Sequence, residues 1–255
     1  TMTLSCIQQP HEHLNANLDN GVLTLAINRP EAKNALYSEL YLKIAQALDE
    51  ADVDGSVRAV ILRGADADFT AGNDMQDFMK SAAQKGQAPA SQGAPFILLK
   101  SAAKFSKPLI AAVRGVAIGI GVTVLLHCDL VYSDNTALFQ IPFVSLGLSP
   151  EGASSKLLVE QAGYHKAAEL LLTAQKFDSA TAVSANLVNS IEEDVYAAAA
   201  KKAAQLSALP LASLVQSKSL MKHNEIFMDR VGSPEMLEAV AAFMQKRKPD
   251  FAQFN

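Results

Sequence analysis

The chain of 255 residues is short of several residue types that mark particular classes of protein. It has two cysteines, Cys6 and Cys128, and no CxxC pair, which argues against a disulfide framework and against a structural zinc site. It also has no excess of basic residues: the formal net charge is −4, whereas binding to nucleic-acid phosphates needs a basic face. We therefore expect no nucleic-acid partner, no metal and a reducing compartment, most simply the cytoplasm.

Long hydrophobic runs are missing as well. The most apolar stretch, residues 116–126, is too short to cross a bilayer and is interrupted by Gly119 and Gly121. The first residues do not show the basic and then apolar pattern of a secretory leader. We expect no membrane partner. Because 49% of the residues are apolar, the chain can bury a large core, either as one α/β domain or as a core with a helical appendage.

Strand and helix patterns alternate in the first part of the chain. Asn20-Gly21 between two extended segments, residues 13–18 and 22–27, predicts a β-hairpin. Ser38 is predicted to cap a helix over residues 39–51. Such alternation favours a parallel sheet with right-handed crossovers. Short apolar runs predict further buried strands at residues 57–63, 109–113 and 130–132.

The second part of the chain is predicted to be mainly helical. We place a core at residues 1–190 and a C-terminal helical region at residues 191–255. Residues 81–94, rich in Ala, Gln, Gly, Ser and Pro, predict a loop without regular structure. The predicted helices from residue 153 onward cover residues 153–161, 165–172, 179–186, 194–206, 211–224 and 234–245.

Three segments could together form a catalytic site. Glu151, in Ser-Pro-Glu-Gly, lies at a turn before an apolar helix and could act as a base. Ala71 and residues 115–121 could present free backbone N–H groups to an anion, the latter at a helix N-terminus. Each segment also has a plain structural interpretation: Glu151 as an exposed first-turn glutamate, the glycines as close packing. We interpret the adjacent residues His127-Cys128-Asp129 as structural, since neighbours on a strand alternate faces.

In combination, the segments resemble the crotonase (enoyl-CoA hydratase/isomerase) superfamily over nearly the whole chain. Residues 28–36, Asn-Arg-Pro-Glu-Ala-Lys-Asn-Ala-Leu, are similar to its N-terminal signature, and residues 69–75 and 107–130 to its two oxyanion segments. The resemblance implies stacked ββα turns, a C-terminal helical trimerisation region, and a homotrimer or dimer of trimers. It also implies an acyl-CoA substrate without a further cofactor, whose thioester oxygen is held by the N–H groups of Ala71 and Ile120. The substrate-binding residues implied are Lys33, Ala35, Gly72, Asn73, Asp74, Met75 and Phe143.

Two departures from the pattern of the hydratases narrow the resemblance to one branch of the superfamily. The positions that match the paired glutamates of hydratases are Thr123 and Phe143, neither of which can act as a base. The Ser-Pro-Glu-Gly segment and the Gly-Asn-Asp of residues 72–74 instead resemble the peroxisomal-type Δ3,Δ2-enoyl-CoA isomerases, in which the glutamate is the base. We therefore expect isomerisation of 3-enoyl-CoA through Glu151. The alternatives are a hydratase or other acyl-CoA enolate chemistry, and a non-catalytic acyl-CoA-binding protein.

Overall fold

The hairpin predicted at Asn20-Gly21 begins the main sheet of the computed structural model, which describes residues 4–83, 93–222 and 247. Asn20 and Gly21 both have positive φ, 47° and 80°, as a tight two-residue hairpin turn requires. The strands are β1 Leu14–Asp19, β2 Val22–Ile27, β3 Ala59–Gly64, β4 Leu109–Val113, β5 Val116–Ile118, β6 Leu130–Ser133, β7 Leu138–Gln140, β8 Phe177–Asp178 and β9 Ser190–Ile191.

Helices follow most of the strands. Short 3-10 turns at Pro30–Ala32, Val124–His127 and Val144–Leu146 complete the described elements. The helix predicted at residues 234–245 and most of the loop predicted at residues 81–94 lie outside the described residues. The helices are α1 Ser5–Gln8, α2 Ser38–Val53, α3 Met75–Ala83, α4 Ala94–Lys104, α5 Ile120–Thr123, α6 Ser154–Ala162, α7 Tyr164–Thr173, α8 Ser179–Ser184, α9 Val195–Ser207 and α10 Leu211–Met221.

The main sheet has the strand order β1-β2-β3-β4-β6-β9 and is parallel apart from the hairpin strand β1. This confirms the predicted parallel sheet. A second, three-stranded sheet has the order β5-β7-β8, with β5 and β7 parallel. Both β5 and β7 lead directly into segments of the site described below, so the small sheet sets their position.

Both faces of the main sheet are covered. Alternate residues of β3 show this: Val60 and Leu62 belong to the large core that includes α2 and α4, whereas Ala59 and Ile61 belong to a smaller cluster with α9. Strands that are buried on both faces appear in the sequence as continuous apolar runs, and for this reason β3 and β4 could be recognised there.

The cap predicted for the first long helix is wrong. Ser38 is the first residue of α2 and does not cap it with its own side chain. Instead, the Asp77 carboxylate accepts hydrogen bonds from the Ser38 N–H at 2.9 Å and from its hydroxyl at 2.7 Å. The acceptor therefore comes from α3, and it ties the start of α2 to the segment that follows residues 69–75.

The chain divides into two compact units, Thr1–Leu211 and Ala212–Asn255. The predicted core of residues 1–190 lies within the first of them. The second unit is described over residues 212–222 and 247, where it contains all but the first residue of α10. Among the described helices, none combines the length and the apolar character needed to cross a membrane.

Candidate active site

Residues 69–75 and the glycine-spaced turn at residues 115–121 lie against each other. Thr70 forms a parallel bridge with Ala117, in which the Thr70 N–H donates to Val116 O at 2.9 Å and its carbonyl accepts from the Ile118 N–H at 3.0 Å. A Cβ on Gly72, whose φ is +85°, would lie 2.5 Å from Ile118 O. Only glycine therefore allows this approach of the two backbones.

The N–H of Ala71 is not free, contrary to the expectation from the sequence. It donates to the carbonyl of Lys33 at 2.9 Å. Lys33 and Asn34 both adopt left-handed backbone conformations, with φ of 48° and 58°, and this turn brings the Lys33 carbonyl to Ala71. An N–H that already has a backbone acceptor cannot also serve as a ready donor to a ligand, so Ala71 has a structural role here.

The Asn73 N–H, two residues further on, is the available donor of this segment. Leu36 bridges Asn73 in parallel: its N–H donates to Gly72 O at 2.7 Å, and its carbonyl accepts from the Asp74 N–H at 2.8 Å. In such a bridge the polar groups of Asn73 itself point away from Leu36. Among the described residues the Asn73 N–H has no acceptor. Asn73 was expected to bind substrate, but not as the backbone donor.

The Ile120 N–H is the second available donor. Ile120 is the first residue of α5. The first N–H of a helix has no intrahelical acceptor. Gly119, with φ 59° and ψ −115°, makes the turn into this helix, and its carbonyl is taken by the N–H groups of Val122 and Thr123. The predicted role of Ile120 is therefore compatible with the geometry.

Glu151 lies in a turn that is fixed by hydrogen bonds to its backbone. Its carbonyl accepts from the Ser154 N–H at 2.9 Å and from the Ser154 hydroxyl at 2.6 Å. The next carbonyl, of Gly152, is 3.0 Å from His127 Nε2. Gly152 and Ala153 follow each other with φ of +60° and +56°. This left-handed pair turns the chain sharply from Glu151 into α6. The structure thus gives His127, interpreted above as structural, a place beside the catalytic segment.

The carboxylate of Glu151 is largely buried, and no cation of the described residues pairs with it. Burial raises the pKa of Glu151 above its ordinary value, and a hydrogen bond from Thr123 only partly opposes this. That bond is long, with 3.5 Å between Thr123 Oγ1 and Glu151 Oε1, so we regard burial as the dominant effect. Within the described residues, no Lys, Arg or His forms an ion pair with Glu151. A raised pKa brings a carboxylate closer to the range useful for a general base.

The remaining predicted substrate-binding residues differ in their surroundings. Asp74 accepts from Arg29 Nη1 at 2.8 Å and from the N–H groups at the start of α3, and hence it caps that helix. The hydrogen bond from Arg29 is the main cause of the lowered pKa of Asp74. Lys33 is exposed, Met75 is half exposed, and the Ala35 carbonyl accepts from Arg29 at 3.0 Å.

The two positions that would carry glutamates in a hydratase are both buried. Thr123 is 0% exposed and points its hydroxyl to Glu151, and Phe143 is 7% exposed within the main core. The described part of the chain contains no cluster of His, Cys, Asp and Glu that could hold a metal ion. Glu151 is therefore an acidic side chain, largely buried, in contact with Thr123 of α5, the helix whose first residue is Ile120.

The sequence profile for enoyl-CoA hydratase/isomerase matches residues 17–254. The chain belongs to this family. It is 31% identical over 245 residues to the 2,3-dehydroadipyl-CoA hydratase of Escherichia coli K12, a match that covers 90% of this chain and 94% of that protein. It is 34% identical over 215 residues to enoyl-CoA delta isomerase 2 of Rattus norvegicus, covering 81% of this chain and 54% of the rat protein.

Solved structures of the family confirm the fold class inferred from the resemblance. The crystal structure of a putative enoyl-CoA hydratase/isomerase of Acinetobacter baumannii matches with a TM-score of 0.80 at 70% sequence identity, covering 84% of this chain and 91% of that one. The enoyl-CoA hydratase/isomerase of Pseudoalteromonas atlantica T6c is 39% identical with a TM-score of 0.77, covering 94% and 100%. The family membership establishes an α/β enzyme of the crotonase type that handles acyl-CoA thioesters.

The turn at Glu151 should not tolerate a side chain at Gly152. A Cβ there would lie 3.1 Å and 3.3 Å from the Leu99 methyl groups. The φ of Gly152, +60°, is a second cost for any residue with a side chain. Gly147 has φ +68° with nothing within 4 Å of its Cβ position, and so it is a matched control. We expect Gly147→Ala to cost ~1–2 kcal/mol of stability from the left-handed backbone alone. Gly152→Ala should cost more and should also lower turnover, as measured by urea unfolding and kinetics; equal losses in the two variants would contradict the packing argument.

The buried carboxylate should also lower stability at neutral pH. The folded-state pKa of Glu151 is raised, so below its unfolded-state pKa both states hold the proton and the group has no effect. Between the unfolded-state pKa and the folded-state pKa, the unfolded state has released its proton but the folded state keeps it. The free energy of unfolding therefore falls as the pH rises through this window, and it stays lowered above the folded-state pKa. We expect Glu151→Gln to increase the free energy of unfolding at pH ~7 but not at pH ~4. The exposed Glu160, on α6, provides the control Glu160→Gln; a gain that is the same at both pH values would show that Glu151 has no raised pKa.

Proposed function

We propose that this chain isomerises 3-enoyl-CoA to 2-trans-enoyl-CoA, with Glu151 as the only proton carrier. The proposal rests on the largely buried carboxylate of Glu151, which contacts Thr123 of α5 and has no counter-ion within the described residues, and on two backbone N–H groups, of Asn73 and Ile120, that have no acceptor there. The similarity to the rat delta isomerase supports the choice of reaction within the family. A homotrimer or dimer of trimers in the cytoplasm belongs to the same proposal.

The first step is removal of a proton from carbon 2. The Glu151 carboxylate takes the proton, and the electron pair of that C–H bond moves through the carbonyl to leave a dienolate with its negative charge on the thioester oxygen. The N–H groups of Asn73 and Ile120 donate to this oxygen. Each donor aimed at such a developing charge contributes about 3–4 kcal/mol to stabilising the transition state.

The second step returns the same proton at carbon 4. The protonated Glu151 donates it, the double bond forms between carbons 2 and 3, and the thioester carbonyl is restored. Burial helps both steps, because it raises the pKa of Glu151 and so favours a carboxyl that can hold the proton between them. No other reactant enters, and atoms and charge balance over the two steps.

Water addition would need a further group to hold and activate the water. In hydratases of this family, as the sequence resemblance implies, two glutamates do so. Here the matching residues are Thr123 and Phe143, and the Thr123 hydroxyl is directed at Glu151. The similarity to an E. coli hydratase makes hydration the second candidate function. The side chains in place favour isomerisation over it.

The direct test compares the two reactions catalysed by the wild-type protein. We expect it to convert a 3-enoyl-CoA to the conjugated thioester, followed by the rise in absorbance of the product, faster than it hydrates crotonyl-CoA, followed by the loss of that absorbance. Hydration as fast as isomerisation would reject the proposal in favour of the hydratase. Tight binding of CoA thioesters without either reaction would indicate a binding protein.

The role of Glu151 is tested by removing its charge. Glu151→Gln should lower kcat for isomerisation by ~10²–10⁴-fold, because general-base catalysis contributes about that much. Glu160→Gln changes an exposed glutamate of α6, which lies 3.8 Å from Lys156, and should leave kcat unchanged. Circular dichroism establishes that both variants fold. Turnover by folded Glu151→Gln at the wild-type rate would show that another group moves the proton.

A further inference from the structure

Tyr41 is a fully buried polar side chain that the mechanism above does not use. It lies on α2, is 1% exposed, and is among the largest side chains of the core. A phenol hydroxyl in such a place normally has a hydrogen-bond partner, because an unpaired one costs free energy. The partner of Tyr41 is the side chain of Asn73: its hydroxyl donates to Asn73 Oδ1 over 2.5 Å.

The Tyr41 hydroxyl also lies in the field of the proposed base. Burial raises the pKa of Tyr41 well above its ordinary value, and the negative charges of Glu151 and then of Asp77 raise it further. At neutral pH the hydroxyl therefore keeps its proton and acts as a donor. Tyr41 is thus hydrogen-bonded to the residue that carries one oxyanion donor and is close enough to Glu151 to sense its charge.

Asn73 depends on this contact more than its neighbours do. Gly72 and Asp74 are each held by backbone hydrogen bonds to Leu36, at 2.7 Å and 2.8 Å, and Asp74 also by Arg29. The N–H of Asn73 has no acceptor in the described structure, so it makes no bond that could fix its direction. Within the described residues, the hydrogen bond that Asn73 makes is the one that its side chain receives from Tyr41.

We propose that Tyr41 is a positioning residue: its hydroxyl holds the Asn73 side chain so that the Asn73 backbone N–H stays aimed at the thioester oxygen, opposite Glu151. The inference rests on the proposed function, since it assigns a role in the same oxyanion site. It does not make Tyr41 a proton donor or a substrate contact. In this proposal, a residue of α2 aligns the oxyanion donor, the Asn73 N–H.

Tyr41→Phe isolates the hydroxyl, because it keeps the ring that fills the core. We expect kcat for isomerisation to fall roughly tenfold, as for the loss of one hydrogen bond of ordinary strength, with KM changed by less than about twofold. A mere packing role would not produce this split between kcat and KM. The control is Tyr132→Phe, which removes the hydroxyl of another buried tyrosine, on β6 in the cluster with α9. It should leave both constants unchanged.

A double-mutant cycle shows whether Tyr41 acts through Asn73. Asn73→Ala deletes the side-chain acceptor and keeps the backbone N–H, so it should cause the same fall in kcat as Tyr41→Phe. In the double variant the second change should add nothing, because both remove one interaction. Independent, multiplying losses would overturn the inference. If Tyr41→Phe does not fold, Asn73→Ala alone decides: wild-type kinetics in that variant would overturn it.

Binding of an unreactive ligand gives a measurement that does not depend on turnover. The affinity gained by an enolised 3-oxoacyl-CoA, which carries negative charge on its thioester oxygen, over a saturated acyl-CoA should be smaller in Tyr41→Phe than in Tyr132→Phe, because that charge meets a less well-aligned donor. Equal gains would count against the inference. A wild type without isomerase activity would reject the proposed function and the role of Tyr41 with it. An active wild type whose Tyr41→Phe variant behaves like Tyr132→Phe would reject only the role of Tyr41.

Discussion

The site depends on keeping the carboxylate of Glu151 largely out of water, without a cation from the described residues beside it. A buried carboxylate tends either to take up a proton or to gain a basic partner, since an isolated charge is costly in a medium of low polarizability. Within the described residues, the Glu151 carboxylate makes one long contact, with the Thr123 hydroxyl, and burial raises its pKa. At neutral pH, a carboxylate with a raised pKa both takes up and releases a proton more readily than an exposed carboxylate, which stays ionised. The same property that lowers the stability of the fold makes the group useful in catalysis.

Such a group must be positioned by the backbone around it, because no residue in the described part of the chain forms an ion pair with it. Here the backbone does so: Ser154 binds the Glu151 carbonyl twice, and His127 lies 3.0 Å from the Gly152 carbonyl. The left-handed pair of Gly152 and Ala153 gives the turn its direction, with Leu99 filling the space where a Gly152 side chain would be. The bridge between Thr70 and Ala117 fixes the two segments that carry the N–H donors, residues 69–75 and 115–121, to each other. The reacting groups are thus set by main-chain geometry, which is stiffer than long side chains.

Much of the main sheet could be predicted because its signals are local. Strand β4 was predicted to the residue from an apolar run after Pro108, and the hairpin from Asn20-Gly21. The errors concern contacts between distant segments. The cap of α2 comes from Asp77, and the Ala71 N–H is taken by Lys33, a pairing that depends on two left-handed residues in an otherwise ordinary sequence. The two-residue strands β8 and β9 are too short to show any pattern. Glu151 and Ile120 could be named from the family resemblance, but which N–H of residues 71–73 is free depends on the fold.

The same frame can serve water addition or proton transfer, and the difference lies in few side chains. Both reactions place negative charge on a thioester oxygen, so both need the paired N–H groups that the two sheets bring together. Hydration further needs an oriented water, whereas isomerisation needs one group that reaches carbons 2 and 4 and keeps its proton between them. Thr123 supplies a neutral hydroxyl to Glu151, and Phe143 fills its position with an apolar ring. Within the described residues, neither of these positions therefore supplies a second carboxylate that could hold a water.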